Sequence, residues 1–196
     1  MIIKYFELNK LDFNKSKIIL LHGKNDGLKS EEVQKLQSKI KKEIKYYEEK
    51  QIIENKEFFL SEILNRSLFE SEKIIVIKRA SEKIRSIIEE LIEKKSIEDI
   101  FIIDCDTLDK KSKLRNFFEK DKKNLISVAF YPDTNETLSK IAHTFLRNKK
   151  ISLSSSNINF IVNKCNGDRK SLNNELEKIE LYKLNKKEIN EQDLLK

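Results

Sequence analysis

The stretch Lys17-Ile18-Ile19-Leu20-Leu21-His22-Gly23-Lys24-Asn25-Asp26-Gly27-Leu28-Lys29-Ser30 decides the fold of this chain. From Ile18 to Leu21 every side chain is aliphatic. A strand buried on both faces of a parallel sheet reads this way, because neither face can accept a polar residue. A polar turn follows. Val33, Leu36, Ile40, Ile44 and Tyr47 then recur at spacings of three and four, which predicts a helix from about Leu28 with Asp26 as its N-cap. Strand, turn and helix open a βα unit.

The same alternation continues downstream. A brief strand is expected at Ile52-Ile53, then a helix from Glu57 to Asn65 with Phe59 and Ile63 on one face, and a strand from Lys73 to Ile77. Ser81 can cap a further helix whose Ile84, Ile87, Ile88 and Leu91 form an apolar stripe. Strands at Ile100–Ile103 and Leu125–Phe130 flank a helix holding Leu114, Phe117 and Phe118. Parallel neighbours need crossover helices, so this order predicts an α/β fold with a doubly wound parallel sheet. Beyond the lone Pro132 the period becomes helical: Leu138, Ile141, Ala142 and Phe145; Ile158, Ile161, Val162 and Cys165; Leu172, Leu176 and Ile179. Gly167 suits the C′ position of the second of these helices and Asp168 the N-cap of the third. The reading is an α/β domain over 1–134 and a small three-helix domain over 135–196. The short polar segment from Lys186 to Lys196 is expected to begin a further element.

Composition narrows the function classes. Lys and Arg outnumber Asp and Glu by 40 to 33, but the two signs are interspersed along nearly every predicted helix, the pattern of a solvated face. Charge by itself leaves nucleic-acid binding as one alternative, with no interleaved aromatic and basic platform to strengthen it. Cys105 and Cys165, and His22 and His143, have no partners at metal-ligand spacing and read as structural, so no metal or cofactor is expected. No apolar run reaches the ~18 residues that span a membrane and no apolar leader is present, so a cytoplasmic location is expected.

Two weak chemical signals coincide at strand ends. Aligned to G-x-x-x-x-G-K-[ST], the first turn supplies Gly23, Lys29 and Ser30 but has Leu28 at the second glycine, with Gly27 one position early. An isobutyl group there crowds the backbone that must wrap a phosphate. Asp104 and Asp106 close a buried strand where an acid could hold magnesium, but the usual Asp-Glu pair is missing. The residues suggest an NTPase-like fold that has lost, or nearly lost, nucleotide chemistry. A separate feature is Arg66-Ser67-Leu68-Phe69, two large apolar side chains in a polar surround. They form either a staple between helix and strand or an anchor for another protein.

Four segments, Leu21-His22-Gly23-Lys24-Asn25-Asp26-Gly27-Leu28, Arg66-Ser67-Leu68-Phe69, Phe130-Tyr131-Pro132-Asp133 and Gly167-Asp168-Arg169-Lys170-Ser171-Leu172-Asn173-Asn174-Glu175-Leu176-Glu177-Lys178-Ile179, occur in an order that resembles the delta subunit of the bacterial DNA polymerase III clamp loader. The resemblance implies an AAA+-type sheet with a helical lid, and a C-terminal collar domain for which 196 residues leave no room. It also implies a subunit that does not hydrolyse ATP and has no catalytic residues. Such a subunit binds and opens the beta sliding clamp through Leu68 and Phe69, flanked by Ser67 and Arg66. Its implied partners are the gamma/tau and delta-prime subunits, with primed DNA reached through the assembled complex. An active P-loop ATPase subunit and a basic DNA-binding domain are the alternatives.

Overall fold

A computed structural model describes residues 1–13, 15–64, 71–93, 98–121 and 124–185. Contacts divide the chain into two compact units, one of Met1–Lys24 with Lys29–Phe130, the other of Asn25–Leu28 with the chain from Tyr131 onward.

The first unit is built on six strands: β1 (Ile2–Ile3), β2 (Ile18–His22), β3 (Ile44–Glu48), β4 (Ile74–Ala80), β5 (Ile100–Cys105) and β6 (Leu125–Ala129). All pairings are parallel and the spatial order is β1-β6-β2-β5-β4-β3. The helices are α1 (Asp26–Ile40), α2 (Glu49–Glu54), α3 (Lys56–Leu64), α4 (Arg85–Glu93) and α5 (Lys113–Lys120), with 3-10 turns at Tyr5–Lys10 and Glu82–Ile84. One core packs Ile18, Leu20, Ile75, Ile77, Phe101, Ile103 and Leu125 of the sheet against apolar residues of α2 to α5, including Phe59, Ile88 and Phe118. The alternate strand residues Ile19, Leu21, Val76, Ile102, Ile126 and Val128 are equally buried, so both faces are covered as a parallel sheet requires.

Several sequence expectations are corrected. Ile44 and Tyr47 belong to strand β3 and not to the first helix. That helix stops at Lys41, which takes the left-handed conformation (φ 56°) while its N–H still bonds the Gln37 carbonyl at 2.7 Å. No glycine or proline marks the break, so the helical spacing carries across it by coincidence. Ile52 and Ile53 lie on α2 and not on a strand. Ile52 is buried and Ile53 is 40% exposed, and the Glu48 N–H bonds Gln51 Oε1 at 3.2 Å at the helix start. The N-cap of α1 is Asn25 and not Asp26: Asn25 Oδ1 accepts from the Leu28 N–H at 3.1 Å. The two-residue β1 leaves no pattern in the sequence to read.

In the second unit, α6 (Asn135–Asn148), α7 (Ser155–Cys165) and α8 (Arg169–Asn185) enclose Leu138, Ala142, Leu146, Ile158, Ile161, Val162, Leu172 and Leu176. Each helix start is capped by a short polar side chain. Thr134 and Ser154 accept from the backbone three residues on, and Asp168 accepts from the Lys170 N–H at 2.9 Å and the Ser171 hydroxyl at 2.7 Å. Between α7 and α8 the chain turns through two left-handed residues, Asn166 (φ 48°) and Gly167 (φ 79°), the expected use of that glycine.

Candidate functional site

In an open parallel sheet, ligand sites form at the carboxyl ends of strands where the order of connection reverses. Here β2 has β6 on one side and β5 on the other, so that end carries Gly23, Lys29 and the Asp104-Cys105-Asp106 turn.

Helix α1 begins at Asp26, so Gly27, Leu28, Lys29 and Ser30 lie within its first turns rather than in an extended loop. Within the sheet unit, Lys29 is buried. Its Nζ donates to the Cys105 carbonyl at 2.8 Å and lies 2.8 Å from Asp104 Oδ1, an ion pair too poorly directed to count as a hydrogen bond. The other oxygen, Oδ2, accepts from Lys78 Nζ at 2.7 Å. Two ammonium groups therefore hold one carboxylate whose side chain is 12% exposed.

Lys78 follows Ile77, whose partner on β5 is Ile103, so it stands beside Asp104. The register with β5 shifts between Ile77 and Ala80, and Arg79 sits at φ 52°. A bulge of this kind re-aims a side chain, and the left-handed arginine marks local strand strain at the site. Arg79 turns outward to Glu48 at 2.7 Å. Sequence reasoning missed Lys78, since its place beside Asp104 depends on the register between β4 and β5. Asp106 is exposed and binds its own turn, accepting from the Thr107 N–H at 2.7 Å, and Ser30 is exposed.

Two flanking groups are quiet chemically. Burial, reinforced by the Asp104 and Glu49 charges, pushes the Cys105 thiol up to about 12, so it stays protonated. Burial, with the Arg115 and Lys29 charges added and Glu119 opposing, lowers His22 to about 4. His22 is therefore neutral in the folded protein at pH 7 but takes up a proton near 6.5 when unfolded. The unfolded state binds the extra proton, so the stability His22 permits is full above pH 6.5 and falls as pH drops toward 4. Between pH 7 and pH 5, above most carboxylate titrations, the loss should be roughly 2 kcal/mol. Urea unfolding across this range should show that slope in the native chain and a flat response in His22→Leu.

The second unit has its own polar centre. Asp133 accepts from Arg169 Nε at 2.8 Å and from its Nη2 at 2.7 Å, a bidentate pair whose side chains are 7% and 9% exposed. Asn25 Nδ2 donates to the same carboxylate and to the Tyr131 carbonyl, each at 2.9 Å. A Cβ on Gly27 would stand 2.8 Å from the Lys170 backbone nitrogen, so Gly27 permits close approach to the start of α8. Asn25, Asp133 and Arg169 come from three of the four segments that carried the resemblance, and here they form one buried cluster. The fourth, Arg66, Ser67, Leu68 and Phe69, lies outside the described residues. Among the described residues no group of three His, Cys, Asp or Glu side chains is placed to hold a metal, and no helix is long and apolar enough to cross a membrane.

No protein-family model matches the chain, and no curated protein does so. Solved structures do. The Thermotoga maritima RuvB Holliday junction branch migration motor matches over 97% of this chain and 63% of its own, with a TM-score of 0.64 and 12% identity. Domain III of the Thermotoga maritima replication initiation protein DnaA matches over 97% and 86%, at 0.58 and 13%. The Bacillus subtilis DNA clamp loader delta protein (YqeN) matches over 97% and 60%, at 0.52 and 14%. The chain has an AAA+-type fold. It spans less than two thirds of the length of the delta protein and of RuvB.

Proposed function

We propose that this chain is a non-hydrolysing AAA+ module of the clamp-loader delta kind, which binds and opens a beta sliding clamp alongside gamma/tau and delta-prime subunits. One observation carries the reading: the groups a phosphate loop would offer are used internally. Lys29 is committed to Asp104 and the Cys105 carbonyl, the Leu28 N–H to Asn25, and residues 26–30 are helix rather than an open nest of N–H donors. A fold shared with replication proteins, one of them a clamp loader delta protein, is then turned to binding rather than hydrolysis.

On this reading Leu68 and Phe69 are the anchor, and each hot-spot side chain is worth roughly 2 to 4 kcal/mol. Surface plasmon resonance against the clamp of the same source should show binding that falls at least ~100-fold in Leu68→Ala/Phe69→Ala, with the unfolding midpoint unchanged. Unchanged affinity in the double variant would sink the anchor. A rise in thermal midpoint with millimolar ATP, lost on Lys29→Ala, would restore the ATPase reading.

A further inference from the structure

Asn166-Gly167, at the turn between α7 and α8, is the one Asn-Gly pair in the sequence. Asparagine is thermolabile because the amide nitrogen of the following residue can attack its side-chain carbonyl carbon, and glycine, with no side chain of its own, hinders that attack least. On chemistry alone this is the most reactive asparagine of the chain.

Its surroundings decide when it reacts. Asn166 is exposed, and its side-chain amide makes no hydrogen bond among the described residues, whereas Asn25, Asn116 and Asn135 are each held through theirs. The restraint lies in the backbone. Asn166 is left-handed, at φ 48° and ψ 43°, which turns the Gly167 nitrogen to the side of the Cα–C bond away from Cβ. Ring closure needs that nitrogen on the same side as Cβ. The rotation is blocked while the turn is closed, for the Asn166 N–H donates to the Asn163 carbonyl at 3.3 Å, the Asp168 N–H to the Cys165 carbonyl at 2.8 Å and the Asp133 N–H to the Gly167 carbonyl at 3.0 Å. All of these residues belong to the second unit.

We infer that Asn166 is a deamidation site gated by the opening of this turn, a one-way record of how often the second unit loosens. In the open turn the Gly167 nitrogen bonds to Asn166 Cγ, the Cγ–Nδ2 bond breaks, and the departing nitrogen takes the amide proton and leaves as ammonia. Water then opens the succinimide at either carbonyl, leaving an aspartate or, with the main chain rerouted through Cβ, an isoaspartate. The isoaspartate lengthens the main chain by one carbon where the packing has no room, since even a Cβ on Gly167 would stand 2.8 Å from the Asp133 carbonyl oxygen. The turn then cannot close as before, and the Asp168 cap of α8 shifts with it. The inference is independent of the clamp-binding proposal.

Peptide mapping by mass spectrometry of the full chain, incubated at mildly alkaline pH, tests it by reading the small mass gain when an amide becomes a carboxylate. In urea Asn166 should convert faster than every other asparagine. In the folded chain it should convert at least ~10-fold more slowly than in urea, because only the open fraction reacts. Leu176→Ala, which cuts a cavity into the core of the second unit, should raise the folded rate at least ~10-fold, and the milder Ile179→Val should raise it a few-fold. Circular dichroism melting identifies which of the two remains folded. Asn166→Gln should remove the early signal. The chain converted to isoaspartate should melt roughly 4 °C below the native one. The inference is overturned if another asparagine converts first in urea, if the folded chain converts as fast as the unfolded one, if a folded core variant leaves the rate unchanged, or if the converted chain melts with the native one.

Discussion

Replacing Gly23 by alanine should lower the thermal midpoint by roughly 10 °C, the greatest loss expected from adding a single methyl group to this chain. Gly23 sits at φ +124°, where L-residues are strained, and a Cβ built there would lie 2.0 Å from the Phe130 carbonyl oxygen and 2.8 Å from its carbon. Those atoms are backbone and cannot rotate away. They are also fixed by the Phe130 N–H donating to the His22 carbonyl at 2.8 Å and the Gly23 N–H donating to Asp106 at 3.3 Å. Relieving the overlap means separating the end of β6 from the end of β2. Backbone strain of about 1 to 3 kcal/mol and one or two lost hydrogen bonds near 1 kcal/mol each give roughly 4 kcal/mol. In a protein of this size that is about 8 to 16 °C. Calorimetry of Gly23→Ala beside a surface control such as Ser30→Ala measures it, and a shift below about 3 °C would mean that the strand ends yield more readily than their hydrogen bonds suggest. The glycine needed for a phosphate-loop pattern is thus accounted for by packing within the sheet.

What the sequence reveals of this fold follows from where burial leaves a mark. The four inner strands are legible because each is a nearly continuous apolar run, as in Ile74-Ile75-Val76-Ile77 and Ile100-Phe101-Ile102-Ile103. The edge strands are not. β1 has two residues, one of them 62% exposed, and β3 carries Lys45 and Tyr46 among its apolar positions, so neither has a buried pattern to read. Capping is ambiguous between adjacent Asn25 and Asp26 because the choice depends on distant partners: only an amide can donate to Asp133 and Tyr131 while accepting from Leu28. The candidate site shows the same limit. Lys29 and Asp104 stand out as strand-end residues, but their mutual pairing and the arrival of Lys78 across the β4–β5 register are properties of the fold.

The Lys29–Asp104–Lys78 cluster gives the second large effect, and its sign depends on which member is removed. Asp104→Ala removes the carboxylate that faces the Lys29 ammonium, whose side chain is 3% exposed, and breaking a buried pair by removing one partner costs about 3 to 5 kcal/mol. Lys29→Met keeps the volume and leaves Asp104 paired with Lys78, so it should cost only about 1 to 2 kcal/mol. Lys78 is 29% exposed and can turn to water, which makes Lys78→Met the mildest of the three. Removing both buried charges in Lys29→Met/Asp104→Leu should then be less destabilising than Asp104→Ala alone, because apolar pairs of similar volume often replace a buried ion pair at no net cost. Urea titrations of Lys29→Met, Asp104→Leu and their double would give a coupling of about 2 kcal/mol if the ion pair is as buried as its geometry implies, and additivity within about 0.5 kcal/mol would contradict it. The same figures bear on function. A nucleotide phosphate would have to draw Lys29 off Asp104 and meet that cost from its own binding energy. The non-hydrolysing reading therefore expects millimolar ATP to leave the unfolding midpoint of the native chain where it was.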